Sequence, residues 1–508
     1  MPAASSARFT LRWLAPSASA ARLLAGLAAC ALAGCAAGPN FKAPKPDLPR
    51  QWSATARQGG ATRESAVTSS APAIATWWAS FRDPTLTSLI RRSVASNLDL
   101  REAVLRIEEA VETRDVTAGG LWPSLSANAG FTRQRLSLNT PNGAIFGSGI
   151  AFPGLPKGVS LTDPFNQYQL GLSASWELDL FGRVRRSVEA ANADVQASVD
   201  DEHGVMISLA SDVAAAYIDL RGAQLKKSII QQSLRTQRDV LQLTQQRWKA
   251  GLTAYLDVAN AESEVKSTEA QLPLAEREIT VDINQLSELM DAQPDALRAE
   301  LAQARPVPPV PPSVPIGLPA DLARRRPDIE QAEAELHAAV ARVGVSVADL
   351  FPQLSLGVAG GYQSEGLSEL IEAASRFATL APTVELPIFE GGALRATVRL
   401  RKVQAKEAAV DYARTVLGAL HEVEDALAAY GADQDQRVAL IAAVGASRTA
   451  LTLASQRYQG GLTSFVEVLD AERTLEQNRL ALADATTAVS ADLVHLYKTL
   501  GGGWQTGA

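Results

Sequence analysis

Tyr168-Gln169-Leu170-Gly171-Leu172-Ser173-Ala174-Ser175-Trp176-Glu177-Leu178 is the stretch on which the fold turns. Its even positions are apolar or aromatic and its odd positions small, polar or acidic, which is the period of a β-strand with one apolar face. Leu125, Ala127, Ala129 and Phe131 alternate in the same way with Ser126, Asn128, Gly130 and Thr132. So do Leu354, Leu356 and Val358 with Ser355, Gly357 and Ala359, and a weaker segment from Phe377 to Leu386 contains Pro382. A strand crosses a bilayer in roughly 9–11 tilted residues, and apolar-out with small-polar-in is the porin-type pattern. A soluble sheet packed on helices would alternate too. Aromatic residues near the strand ends (Trp122, Phe131, Tyr168, Trp176) favour the membrane reading.

The flanks have the opposite period. Residues 184–248 contain no Pro and carry Val205, Leu209, Val213, Tyr217 and Leu220 as one helical stripe; residues 393–458 are equally free of Pro. A straight helix of that length reaches ~100 Å at 1.5 Å per residue. Returning helices are expected over 253–290, with Ile279, Ile283, Leu286 and Met290 in register, and over 463–500. Pro273 should kink the first of them. Helices this far above the usual length suggest a coiled coil or a helical tube.

The chain is written twice. Leu98 to Leu125 aligns without gaps on Pro327 to Leu354 at an offset of 229, and Glu177 to Phe181 on Glu385 to Phe389 at 208. Gln246-Arg247 and Gly251-Leu252-Thr253 match Gln456-Arg457 and Gly461-Leu462-Thr463 at 210. The first repeat is therefore 35–304, with strands about 125–135 and 168–178, a loop about 136–166 and 21 inserted residues. The second is 320–508, with strands about 354–363 and 377–386. The Pro-rich stretch 305–319 lies between them as an extended linker. Four strands cannot close a membrane barrel, since small barrels begin at about eight, so each chain should supply part of a shared barrel in a symmetric ring.

Arg8, Arg12 and Arg22 precede an apolar run, Leu23 to Gly34, that is too short to span a membrane at ~20 residues. With Leu32-Ala33-Gly34-Cys35 it reads as a lipoprotein signal peptide over 1–34, and Cys35 as the lipid anchor of the mature chain. Cys30 is a weaker rival. The resemblance to sorted bacterial lipoproteins implies the outer membrane, since Ala36 rather than Asp follows the Cys. Cleavage moves the formal charge from −7 to −10 and leaves one modified Cys, so disulfides and Cys chemistry are excluded. An acidic chain without clustered Lys and Arg is no nucleic-acid binder.

Two stretches, Trp77-Trp78-Ala79-Ser80-Phe81-Arg82-Asp83-Pro84 and Ile316-Gly317-Leu318-Pro319-Ala320-Asp321-Leu322-Ala323-Arg324-Arg325-Arg326-Pro327-Asp328-Ile329, join this duplicated plan. Together they resemble the lipidated outer membrane factors of Gram-negative efflux and secretion systems, of the TolC/OprM kind, over essentially the whole mature chain. The resemblance implies a mixed, mainly α protomer with a helix-strand-strand-helix plan. Three copies would form a twelve-stranded outer-membrane barrel continued by a periplasmic α-helical barrel. It implies an exit duct working with a periplasmic adaptor, or membrane fusion, protein and an inner-membrane transporter, of the resistance-nodulation-division class by preference. The outer-membrane component of a type I secretion system and a non-pore tethering lipoprotein are the alternatives.

Arg247-Trp248-Lys249-Ala250-Gly251-Leu252-Thr253 and Arg457-Tyr458-Gln459-Gly460-Gly461-Leu462-Thr463 are the sharpest local signals. A helix stop explains the glycines and a cap on the next helix explains the threonines, but neither explains a Leu at an exposed turn. By the resemblance Gly251, Leu252, Thr253, Gly461, Leu462 and Thr463 contact the adaptor. Asp257, Glu467 and Asp470 stand one turn further on, and the last two face one way on the helix. An acidic solvated face is the ordinary explanation of such residues. The resemblance places them at the constriction that closes the duct, where a threefold ring would repel anions. Glu467 replaces the family's usual Asp, and Asn260 stands where the second copy has Asp470.

No catalytic machinery, cofactor or metal site is expected. The four His are isolated, and His421-Glu422-Val423-Glu424-Asp425 has Asp where a zinc-protease motif needs its second His. Passage through such a duct would be passive.

Overall fold

The structure is a computed structural model that describes residues 36–46, 48–53, 65–70, 75–135, 137, 139–140 and 164–505. The elements in chain order are β1 (Ala66–Thr68), α1 (Pro84–Ser96), α2 (Leu98–Gly119), β2 (Ser124–Gln134), β3 (Phe165–Leu178), α3 (Arg183–Lys249) and α4 (Tyr255–Glu288). Then come α5 (Arg298–Leu301), β4 (Ser313–Pro315), α6 (Pro327–Ala348), β5 (Gln353–Ser364), β6 (Arg376–Glu385), α7 (Ala393–Gln459) and α8 (Phe465–Thr499). The fold is mixed and mainly α. It divides into two compact units that each draw on both sequence repeats. One comprises the described residues up to Lys42 with Glu112–Asn192 and His337–Lys406; the other holds Ala43–Val111, Ala193–Leu336 and the chain from Glu407.

The first unit is built on an antiparallel sheet ordered β2-β3-β5-β6. Its register sorts the alternating residues. Leu125 pairs with Ala174, Ala127 with Leu172, Ala129 with Leu170 and Phe131 with Tyr168. Ala174 pairs in turn with Val358 and Trp176 with Leu356, and Val358 with Leu380 and Leu354 with Val384. Residues opposite each other share a face, so the apolar side chains of all four strands form one surface. That surface is uncovered: Leu125, Leu172 and Leu380 are 71%, 55% and 69% exposed. Ser126, Asn128, Ser173, Ser175, Ser355 and Thr383 lie on the other face, where Asn128 Nδ2 donates to Ser173 Oγ at 2.7 Å. Pro382 occupies the edge strand β6 opposite Leu356, the position in a sheet where a missing N–H is tolerated.

Glycines set the closeness of the two repeats within the sheet. Gly171 and Gly361 are register partners. A Cβ on Gly361 would lie 2.2 Å from the Leu170 carbonyl oxygen, so no side chain fits there.

The second unit is helical. Val213, Tyr217 and Leu220 of the expected stripe are fully buried, with Ile283 and Leu286 of α4 and Leu493 and Leu496 of α8 in the same core. Both sequence stretches that carry the resemblance are built into this core. Trp77 stacks on Tyr497 at 5.3 Å, Asp83 caps α1 by accepting from Thr85 N and Leu86 N, and its second oxygen accepts from Tyr217 OH at 2.8 Å. Arg326 donates to Asp328, to the Thr499 carbonyl and to Glu422. Glu424 accepts from the amide and hydroxyl of Ser53. Two of the three acids of the incomplete zinc motif, Glu422 and Glu424, thus hold other segments in place. The linker is extended but not free: Val314 is fully buried and β4 pairs in parallel with β1.

Pro273 lies inside α4, which continues through it.

Candidate functional site

The two helix-helix turns come first, built by the same backbone arithmetic. Leu252 N donates to Arg247 O at 2.9 Å and Gly251 N to Trp248 O at 2.8 Å. Leu462 N and Gly461 N donate to Arg457 O and Tyr458 O at 2.8 and 3.0 Å. These 6→1 and 5→2 bonds define a Schellman stop, and the residue at its left-handed position is Gly251 (φ +71°) or Gly461 (φ +74°). The stop places Leu252 and Leu462 just beyond the helix end, 66% and 74% exposed.

The threonines do not cap the following helices. Ala254 and Ser464 occupy the N-cap positions, and neither makes a side-chain capping bond. Thr253 sits one residue too early, so its hydroxyl donates to the Asp257 carboxylate instead. Thr463 has Glu467 at the corresponding place and its hydroxyl finds no partner among the described residues. A carboxylate one methylene longer changes the local bond, and the two copies part there.

Aromatic pairs frame each turn. Trp248 and Tyr255 meet edge-on at 5.3 Å and are both exposed, whereas Tyr458 and Phe465 meet at 5.4 Å and are buried. Arg247 ties the turns together: its guanidinium lies over the Tyr458 ring at 4.8 Å and Nη1 donates to Gln459 O at 3.2 Å. The first turn presents Trp248, Leu252, Tyr255 and Leu256 to solvent, the second only Leu462 and Val466. Sequence reasoning singled out the leucines and passed over Trp248 and Tyr255. The repeat held the signal, since an aromatic residue occurs at the same two positions of both copies.

Of the acids expected beyond the turns, Asp257 is half-buried by its bond to Thr253, while Glu467 and Asp470 are exposed. Val468 and Leu469 between them are buried, so the pair faces away from the packed side of α8.

Cys35 lies outside the described residues, as do residues 141–163 of the expected loop. The residues after Cys35 are strapped to the end of β3 and the start of α3. Ala37 N donates to Phe181 O at 2.8 Å, Phe41 stacks on His337 at 4.4 Å, and His337 Nε2 lies 3.1 Å from Glu189. A Cβ on Gly38 would lie 2.6 Å from the Gly344 Cα. Among the described residues no group of His, Cys, Asp and Glu could hold a metal ion.

Comparison with known proteins covers nearly the whole chain. Residues 89–292 and 318–502 match the family model described as outer membrane efflux protein. The toluene efflux pump outer membrane protein TtgF of Pseudomonas putida is 32% identical, across 93% of this chain and 95% of that protein. Nodulation protein T of Rhizobium leguminosarum bv. trifolii is 29% identical across 89% and 91%. The solved outer-membrane channel OprN is 34% identical with a TM-score of 0.82, covering 93% of this chain and 100% of that one. The open-state MtrE outer membrane channel of Neisseria gonorrhoeae is 29% identical with a TM-score of 0.76, over 93% and 99%.

Proposed function

The chain belongs to the outer membrane efflux protein family, a family of transport channels seated in the outer membrane, and from that membership we propose that it is the exit duct of a tripartite pump. Three copies pair edge strands β2 and β6 of neighbouring protomers into one barrel. The uncovered apolar face meets lipid, and the Ser, Asn, Thr and Gln face lines a wide wet passage. The single observation that carries this reading is the register, which gathers the apolar residues of four strands onto one uncovered surface while, among the described residues, both sheet edges stay open.

The helices support the same assembly. Val403, Val410, Leu417 and Val438 of α7 recur at multiples of seven residues and are all more than half exposed, the seam a neighbouring helix would cover. Acyl chains on Cys35 anchor the mature protein in the membrane. Small neutral residues line the passage without selecting a cargo, so small-molecule specificity resides in the inner-membrane transporter, of the resistance-nodulation-division class, and in its adaptor.

The paired turns dock the adaptor, through Gly251, Leu252, Thr253, Gly461, Leu462 and Thr463, with Trp248 and Tyr255 widening the first turn's surface. Asp257, Glu467 and Asp470 form the negative constriction one turn further on. Purified protein in planar bilayers tests the duct: discrete channels are expected, and a protein that conducts nothing is a tether. Replacing both Leu252 and Leu462 by Asp should abolish adaptor capture while trimers persist; undiminished capture removes the turns from the interface.

A further inference from the structure

Just inside the turns, the helical unit buries more negative charge than it neutralises. Glu264 of α4 and Glu472 and Glu476 of α8 are only 8%, 6% and 7% exposed. Carboxylates taken that far from water need a partner each. Among the described residues one guanidinium hydrogen-bonds to the group, with Arg473 Nε and Nη2 both donating to Glu264 Oε2 at 2.9 and 2.6 Å. Glu476 receives Gln237 Nε2 of α3 at 3.3 Å. Oε1 of Glu472, Oε1 of Glu476 and Oε1 of Gln237 are buried and find no hydrogen-bond partner among the described residues.

The remaining charges nearby do not repair the imbalance. Arg479 of α8 interacts with Glu476 but is opposed by Arg448 of α7, and Asp470 draws on Arg473 from the exposed side. Burial, then the charges of Glu264 and Glu476, push Glu472 up to about 7. Burial raises Glu476 as well. Close carboxylates in a dry site cannot all ionise, so one of them holds a proton that leaves within the physiological range.

We propose that Glu472 is a proton-operated spacer between α4 and α8: protonated, it lets the two helices close against α3, and ionised, it drives them apart and widens the aperture that the same helices carry. Asp257 lies about two turns from Glu264 on α4, and Glu467 and Asp470 about one and a half turns and half a turn from Glu472 on α8, all toward the helix ends, so a small separation at Glu472 is delivered directly to them. The electrical consequence rests on the constriction reading above; the packing consequence does not.

The intact trimer is measured in planar bilayers and by thermal unfolding, from about pH 5.5 to about pH 8.5, on either side of the Glu472 value. Wild-type conductance should rise with a midpoint near pH 7. Glu472→Gln should hold the acid-side conductance throughout. Its melting temperature should equal wild type at the acid end and exceed it at the alkaline end. Glu467→Gln should shift conductance at every pH and keep the midpoint. A Glu472→Gln channel with the wild-type midpoint overturns the proposal, whatever its melting profile. A flat Glu472→Gln conductance beside an inert Glu467→Gln leaves the spacer standing and removes the constriction reading.

Discussion

Gly251 and Gly461 have open space where a Cβ would project, so an Ala at either costs only the left-handed backbone, about 1–2 kcal/mol. Gly461→Ala should therefore loosen the end of α7, read as faster hydrogen exchange around Tyr458 and Gly460. Leu462→Ala should leave exchange unchanged and weaken adaptor capture. Exchange that rises equally in both variants would mean Leu462 holds the turn rather than a partner. Glu330 supplies a pH dependence at the same scale: burial, then Asp200 and Glu333, push it up to about 7. A raised carboxyl favours the folded state only while protonated, so its contribution is full in acid and is lost as pH climbs from the unfolded value near 4.5 to about 7. Glu330→Gln should raise the melting temperature at alkaline pH and leave it unchanged in acid; a uniform rise would assign the effect to packing. The turns were legible residue by residue because Gly at a helix end has one dominant meaning. The buried carboxylates were not, because a Glu on a helix reads as solvated until its neighbours are known.

At the scale of elements the period of two marked the strands, and β3 runs from Phe165 to Leu178 around the stretch that displayed it. Period alone left two explanations open; the register brings apolar residues far apart in sequence onto one face, and the exposure of Leu125, Leu172 and Leu380 on it favours lipid over a packed soluble core. That face makes a sharp contrast available. Leu172→Arg places a guanidinium toward lipid, at a cost of about 2–4 kcal/mol near the bilayer midplane. Ser173→Arg, one residue on, points it into the aqueous passage. Leu172→Arg should deplete the protein from the outer-membrane fraction, while Ser173→Arg should assemble and alter conductance. Equal depletion by both would contradict the two-faced sheet. β6 was the least legible strand because Pro382 lowers its β signal; at a sheet edge that residue is tolerated, and the edge is invisible in sequence. The capping role expected of Thr253 failed for a similarly local reason, a chain offset of one residue that brings Asp257 within reach first.

At the scale of the molecule, the stretches that most strongly mark the family are core residues: Trp77, Phe81 and Arg326 are buried within the helical unit and help hold it together. Family membership was thus readable from packing, while the working surfaces rest on shorter and less distinctive signals. The sheet states what a single chain lacks. Among the described residues β2 and β6 each keep one side without a strand partner, a row of N–H and C=O groups that a bilayer cannot leave unpaired. Closure by neighbouring copies satisfies every one of them; one further copy makes about eight strands, whose interior side chains fill, and two make about twelve, enough to enclose a wider passage. Because the sequence holds no Cys beyond Cys30 and Cys35, and the lipoprotein reading proposes that the first is removed and the second acylated, cysteines introduced on the strands report this cleanly. One Cys on β2, scanned over Ala127, Asn128 and Ala129, combined with one on β6, scanned over Thr379, Leu380 and Ala381, should yield at one register a ladder ending in a covalent trimer. Either Cys alone should give none. A ladder that stops at dimers, or cross-linking that falls only within one chain, would mean that the two edges meet something other than each other.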